Sequence, residues 1–460
     1  MILHYRHPDT CRAERRYIAK WLFEEIFGWE VRFEAGAFPH QTLQAEGARE
    51  SLVLPDTFLS AASKNWLGVD TLPKEPLWRS PEGLPVLYGR RDGIQEGERS
   101  RMFSIDVLGS LFFLLSSYEE AVVEERDHHG RFPSQASVLK RENLLHRAIG
   151  NEYIETLWRE MTGLWPGLTR RSREFRIQPS HDIDVPSFYW RRSAGAVIRE
   201  SARQLVKFRC ALGALRVAGG GFVRGPAQWR LDPFDTIEAI MDQSEACGLK
   251  SVFNYIPERT SVSHDVGMPL DHPQIESQWR NIAARNHEIG IHPGYETCEH
   301  PERIARGATL IRRQLEKLKI DQEILGGRQH FLRWNSRSTA RSWEAAGLSY
   351  DSTLGFADQC GFRCGVCYEF PLYDLENRRV LALRERPLIA MDCTVLDDAY
   401  MGLGSGEEAF QYLFDLRETC RKYEGDFTIL WHNNRLVNPR ERDLYQAILS
   451  APTERPEGLV

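Results

Sequence analysis

The stretch Phe175-Arg176-Ile177-Gln178-Pro179-Ser180-His181-Asp182-Ile183-Asp184 decides how the larger, C-terminal part of the chain is read. A run of strand length, Phe175–Pro179, passes directly into hydroxyl, imidazole and carboxylate groups. Further strand-length runs follow at Ser251–Ile256, Glu288–His292, Leu325–His330, Pro387–Met391 and Phe427–Trp431. Between them lie helical windows at Thr236–Cys247, Pro273–Arg285, Arg303–Leu318, Ser338–Ala346, Glu407–Tyr423 and Pro439–Leu449. Strands alternating with helices predict a parallel-stranded α/β region, open or barrel-like. In such a region sites collect at the carboxyl ends of the strands. The pattern begins near residues 165–175.

Upstream the texture differs. A helix, Ala13 to Phe27, and a short strand, Trp29–Phe33, are followed by Pro- and Gly-punctuated elements to about Arg99. Ile105–Glu120 is apolar nearly all round at its centre, as a buried helix is. Asn151–Met161 regains helical periodicity, and Trp165-Pro166-Gly167 ends it. The expected division is an α+β region over 1–170 and an α/β region over 171–460.

The whole chain has 460 residues, 42 % hydrophobic and 27 % charged, with net charge −6, which excludes disorder and gives no basic excess for nucleic acid. Its longest apolar run, Leu111-Phe112-Phe113-Leu114-Leu115, is far short of a membrane span, and the start has no secretory run. A cytoplasmic protein is expected, its 9 scattered cysteines reduced. From Arg191 to Arg230 nine Lys/Arg oppose only Glu200, a local 9 − 1 = +8. That segment reads as a solvated excursion, or as a basic flap for an anionic substrate or a membrane surface.

Three strand ends are rich in acid/base and ligand groups: Ser180–Asp184, His287–Glu296 and Leu430–Asn434. Asp182 and Asp184, two apart on a strand, share a face and can approach one cation. His287-Glu288-x-x-x-His292 fails as a helical zinc signature, because the spacing is five and the alternation is that of a strand. His292 is the candidate ligand and His287 a structural cap. Gly326–Trp334 adds Arg328, His330 and Trp334. Separately, Cys360-x3-Cys364-x2-Cys367 has the thiolate spacing of radical SAM enzymes, although Val366 stands where those carry an aromatic. Reduced thiols in a Gly-rich loop are the plain reading, and a cluster or zinc the sharper one.

In order and spacing these pieces resemble polysaccharide deacetylases of the NodB-homology type. The resemblance implies an irregular (β/α) barrel and a metal-dependent hydrolase that removes an N- or O-linked acetyl group from a sugar or glycan precursor. It makes Asp182 the catalytic base, Asp184 and His292 metal ligands, and His432 of Leu430-Trp431-His432 the general acid. Glu296 falls where the family has its second metal histidine, so zinc is the first choice and manganese or iron fit an oxygen-richer set. Arg328 of Arg328-Gln329-His330-Phe331 would orient Asp182 by a bidentate contact. His330, where the family has proline, is open as a substitute ligand, a substrate contact or a packed residue. Leu115-Ser116-Ser117-Tyr118-Glu119-Glu120 and Gly130-Arg131-Phe132-Pro133 resemble the N-terminal extension of a subgroup, whose role the resemblance does not supply.

Asp392 is expected to orient His432 or to cap its strand. Tyr295, Trp334 and Trp431 are candidates for an aromatic floor under a sugar, with core packing the alternative. Two other functions compete: a non-catalytic carbohydrate-binding or assembly protein, suggested by Glu296, and an iron–sulfur enzyme using Cys360, Cys364 and Cys367. Oligomeric state is not legible.

Overall fold

The computed structural model describes residues 1–91, 100–207 and 209–451. The Arg99 end of the punctuated stretch and the last positions of the expected 171–460 region lie outside them. The chain is mixed α/β, with two principal sheets on either side of residue 170.

The first sheet has five strands in the order Glu30–Gly36, Ile2–Pro8, Gln41–Ala45, Ser51–Leu54, Ser100–Met102. In Ile2–Pro8, alternation turns Leu3, Tyr5 and His7 inward. Every residue of the helix Val107–Leu115 is buried, as its all-round apolar sequence requires. Asp106 caps it, accepting from the Gly109 amide at 2.9 Å. The predicted helix does not run unbroken to Glu120. Ser117 takes φ 52°, a second helix covers Tyr118–Val122, and Tyr118 Oη accepts from the Leu67 amide.

The second sheet is a nine-stranded half-barrel. Its order is Phe370–Asp374, Arg379–Glu385, Tyr350–Asp351, Gly326–Gly327, Glu288–Ile291, Val252–Tyr255, Arg176–Ile183, Asp426–Leu430, Ala390–Met391. All neighbours are parallel except the hairpin at the first edge. The expected strand Phe175–Pro179 runs on to Ile183, while Leu325–His330 shrinks to Gly326–Gly327. Crowding explains why glycine is used there: a Cβ on Gly327 would lie 1.9 Å from the Ile291 carbonyl oxygen. Tyr350–Asp351 and the 370–385 hairpin are strands that the sequence pattern did not reveal.

One apolar core runs through both sheets. Tyr17 packs on Tyr373 and donates to the Pro371 carbonyl, and the buried Glu14 accepts from Tyr373 and Arg378. Glu120 pairs with Arg363 at 2.7 Å. The Glu119–Glu120 motif therefore holds parts of the fold together.

The basic stretch expected as an excursion or flap carries two helices. These, Ala194–Val206 and Ala211–Phe222, sit over a small separate cluster of Phe188, Val217 and Phe234. Ile198, Val206, Leu212, Leu215 and Phe222 are each at least 70 % exposed. Basic residues share the segment with this apolar surface.

Candidate metal and acid–base centre

Because the strands are parallel and adjacent, their carboxyl ends open on one side of the half-barrel. Arg176–Ile183 delivers Asp182 and Asp184, Glu288–Ile291 delivers His292, and Gly326–Gly327 delivers Arg328. The turn His330–Leu332 carries His330, Ala390–Met391 leads into Asp392, and Asp426–Leu430 leads to His432. Asp182, Asp184, His292, His330 and His432 line one cavity of ≈ 270 Å³.

Arg328 is completely buried. Its Nη1 donates to Asp182 Oδ1 at 2.9 Å, Nε to the Ser352 carbonyl at 2.7 Å, and Nη2 to the Ser180 and Ser352 hydroxyls. The predicted bidentate contact with Asp182 is thus a single-point one, because the rest of the fork ties neighbouring strands together. Asn254 gives Asp182 Oδ1 a second donor at 2.8 Å. Burial pushes the Asp182 carboxyl up, but Arg328, then His292 and His432, outweigh it and hold the carboxyl below the ordinary carboxylate range.

Three imidazoles turn Nε2 toward Asp184. His292 Nε2 lies 3.1 Å and His330 Nε2 3.5 Å from Asp184 Oδ1, and His432 Nε2 lies 3.6 Å from Oδ2. A partner at Nδ1 orients each ring: the Arg328 carbonyl at 2.6 Å for His292, Asp265 at 2.9 Å for His330, and Asp392 at 2.7 Å for His432. Asp392 also accepts from the His432 amide, so it orients that residue twice over. Burial disfavours a charged His432, yet Asp392, with Asp184 and Asp182, holds its pKa up at about 9. For His330, Asp184 and Asp265 likewise outweigh burial and give about 9.

The donor atoms of Asp184, His292 and His330 all lie within 4.8 Å of one another. Asp184 Oδ1 is buried and, among the described residues, has no hydrogen-bond partner. Ligand bonds of about 2.0–2.1 Å in tetrahedral geometry put donor atoms about 3.3 Å apart. The separations of 3.1 and 3.5 Å match that edge. Two imidazoles and one carboxylate, each imidazole oriented from behind, are a donor set suited to a borderline divalent ion.

Several expectations need correction. Glu296 stands apart from this group: it sits in the short turn Tyr295–Glu299, 44 % exposed, with its carboxylate 2.8 Å from Arg303 Nη1. His330 lies beside Asp184 and His292 instead. Trp431 faces Tyr445 across 5.2 Å, away from the cavity, because Leu430 and His432 point the other way along the strand. Trp334 is in the core. Tyr295 stacks on His264, with ring centroids 3.9 Å apart, and bonds His129 rather than forming a floor. The cavity's aromatic groups are Phe331 and Tyr400.

Cys360, Cys364 and Cys367 do not converge as ligands among the described residues. Cys360 lies between the Met391 amide and carbonyl, Cys367 lies beside Asn151, and burial pushes the Cys364 thiol well up. His287 is the cap its position implied: Nδ1 accepts from the Ser251 amide.

The sequence reading missed Asp265, Asn254 and Arg131. Asp265 ends the polar run Thr260-Ser261-Val262-Ser263-His264-Asp265 after the strand Val252–Tyr255, and a fifth strand end with that composition was the available signal.

A model of a family of unknown function (DUF7033) matches residues 2–166. No curated protein matches the chain. A structure from Mycobacterium smegmatis, provisionally described as a polysaccharide deacetylase, aligns at 14 % identity and a TM-score of 0.39, over 63 % of this chain and 87 % of that one. Puue allantoinase aligns at 12 % identity and a TM-score of 0.36, over 62 % and 85 %.

Proposed function

We propose that the protein is a metal-dependent hydrolase that removes an acetyl group from a sugar or glycan precursor. What supports this reading is the convergence of three oriented imidazoles on the Asp184 carboxylate, beside an ionised, Arg-paired Asp182. Asp184, His292 and His330 would hold one divalent ion, zinc first, with manganese or iron as alternatives. Such an ion supplies Lewis acidity, polarising an acyl carbonyl and bringing the pKa of water to about 7.

The chain's own groups supply the proton transfers. Asp182 Oδ1 is committed to Arg328 and Asn254, which leaves Oδ2 as the base that takes a proton from the attacking water. His432, held by Asp392 with Nε2 toward the cavity, donates a proton to the departing amine or alkoxide. With His330 in the ligand set, Glu296 no longer argues for a disabled, purely binding protein.

The test is metal content by plasma mass spectrometry on untagged protein, together with acetate release from acetylated sugars. About one ion per chain, lost in Asp184→Ala and His330→Ala, and activity lost in Asp182→Asn and His432→Ala, are the expected results. Unchanged acetate release in both latter variants would refute the roles assigned.

We further infer a precursor on the cytoplasmic side, nucleotide-linked or lipid-linked, met by the basic 191–230 helices. No helix among the described residues is long and apolar enough to cross a membrane. Exposed Ile198, Leu212 and Phe222 beside clustered Arg and Lys suit peripheral contact with anionic lipid. Sedimentation with phosphatidylserine vesicles, abolished in a Leu212→Ser, Phe222→Ser double variant, is the check; no sedimentation of the parent protein would end the idea.

A further inference from the structure

The cavity is completed by a residue from the part of the chain that the family of unknown function covers. Arg131 lines it together with Asp182, Asp184 and the three histidines. Its loop is firmly built. Asp127 accepts from the amides of His129 and Arg131 and from Arg131 Nε, and Gly130 supplies the left-handed turn at φ 74°. Arg333 donates to the His129 carbonyl at 2.7 Å, which ties the loop to the half-barrel.

The Arg131 side chain is only 9 % exposed. Nε is taken by Asp127, and Nη1 donates to the Phe331 carbonyl at 3.0 Å. No described residue bonds Nη2. A guanidinium has five N–H donors, and Nη2 is not among the buried unpartnered atoms of the described residues, so it is the donor left open to a ligand in the cavity. Of the cavity's two arginines, Arg435 pairs with two carboxylates, Asp397 and Glu441, whereas Arg131 pairs with Asp127 alone.

We propose that Arg131 binds an anionic group, phosphate or carboxylate, on the molecule that enters this cavity, so that the N-terminal region sets substrate choice. The assignment rests on the hydrolase reading only in sharing its cavity. Arg131 also holds the carbonyl of Phe331, a non-glycine residue at φ 61°, so its removal must be checked for displacement of that turn.

Calorimetric binding to the zinc-loaded full chain tests the proposal with three probes: N-acetylglucosamine, its 1-phosphate, and the matching uronic acid. The expected result is binding of at least one anionic probe about 10- to 100-fold tighter than of the neutral sugar, the scale of a charge-assisted hydrogen bond. The phosphate and carboxylate arms identify which anion is preferred. Arg131→Gln should erase the preference and Arg131→Lys keep part of it, with melting temperature and metal content of both variants measured to show that the His330–Leu332 turn is still held.

Equal binding of all three probes by the parent protein overturns the proposal, whether or not the variants fold. So does a preference that survives in Arg131→Gln; if that preference disappears on zinc removal, the anion sits on the ion. Acetate release, measured in parallel, separates the two readings. Anionic preference without turnover sinks the hydrolase and leaves the Arg131 site. Turnover with equal kcat/KM for neutral and anionic sugars does the reverse.

Discussion

Two parts of this chain carry metal-ligand side chains, and the fold treats them oppositely. Cys360, Cys364 and Cys367 lie close in sequence, buried in the continuous core, and their thiols meet backbone groups, Asn151 and apolar neighbours. Asp184, His292 and His330 are spread across three elements, yet their donor atoms share a space of 4.8 Å. Local spacing brings side chains near one another but does not aim them. Parallel strand ends do aim them, because each strand leaves the sheet on the same side with its pleat in register. Environment completes the contrast: burial pushes the Cys360 and Cys364 thiols up, whereas the His330 and His292 imidazoles outweigh desolvation and hold the partly buried Asp184 well below the usual carboxylate range.

The largest expected effect removes a proposed ligand. His330→Ala or Asp184→Ala should lower zinc affinity more than about 100-fold, beyond the loss typical of an outer-shell change. The triple variant Cys360→Ser, Cys364→Ser, Cys367→Ser should leave metal stoichiometry unchanged. Iron with matching sulfide in the anaerobically purified parent protein, lost in the triple variant, would invert the comparison.

Next comes the acid. Asp392→Asn should cut kcat about 100-fold, within the range of general acid–base catalysis, at undiminished metal content. A parallel loss of metal would move Asp392 and His432 into the ligand set. Smaller again is the support behind His330. Asp265→Asn should weaken zinc binding about 10-fold, read by competition with a chelating dye.

Smallest are two expected silences. Glu296→Gln should leave metal affinity within about 2-fold, since loss of an exposed ion pair with Arg303 is all it changes. At pH 8 iodoacetamide should spare Cys360 in the folded protein: burial pushes its thiol up to about 12, leaving a thiolate fraction of about 10⁻⁴. Rapid alkylation there, mapped by mass spectrometry, would show that the loop opens.

The strand ends were legible because their chemistry is written beside their apolar runs. Asp182, Asp184, His292, Arg328 and His432 each stand at the carboxyl end of a strand or within two residues of it, and all line or support one cavity. Trp431 was legible too and was misassigned, since period-two alternation already sets it opposite His432. His330 and Asp265 were not. Their meeting depends on a turn in which Phe331 and Leu332 both take positive φ, a conformation that neither residue favours locally. Arg131 was quoted only as part of a resemblance; its approach to a cavity built by residues 182–435 crosses the whole tertiary structure.

By itself the sequence determined the alternation of strands and helices, the side of the sheet on which polar groups would gather, and the depth of the Val107–Leu115 helix. Those follow from hydrophobic periodicity, which acts over a few residues at a time. Tertiary structure alone decided that His330 rather than Glu296 faces Asp184, that the cysteines stay apart, and that an arginine from the N-terminal region enters the cavity. Each depends on where chain segments far apart in sequence come to rest, and packing of the shared core sets those positions.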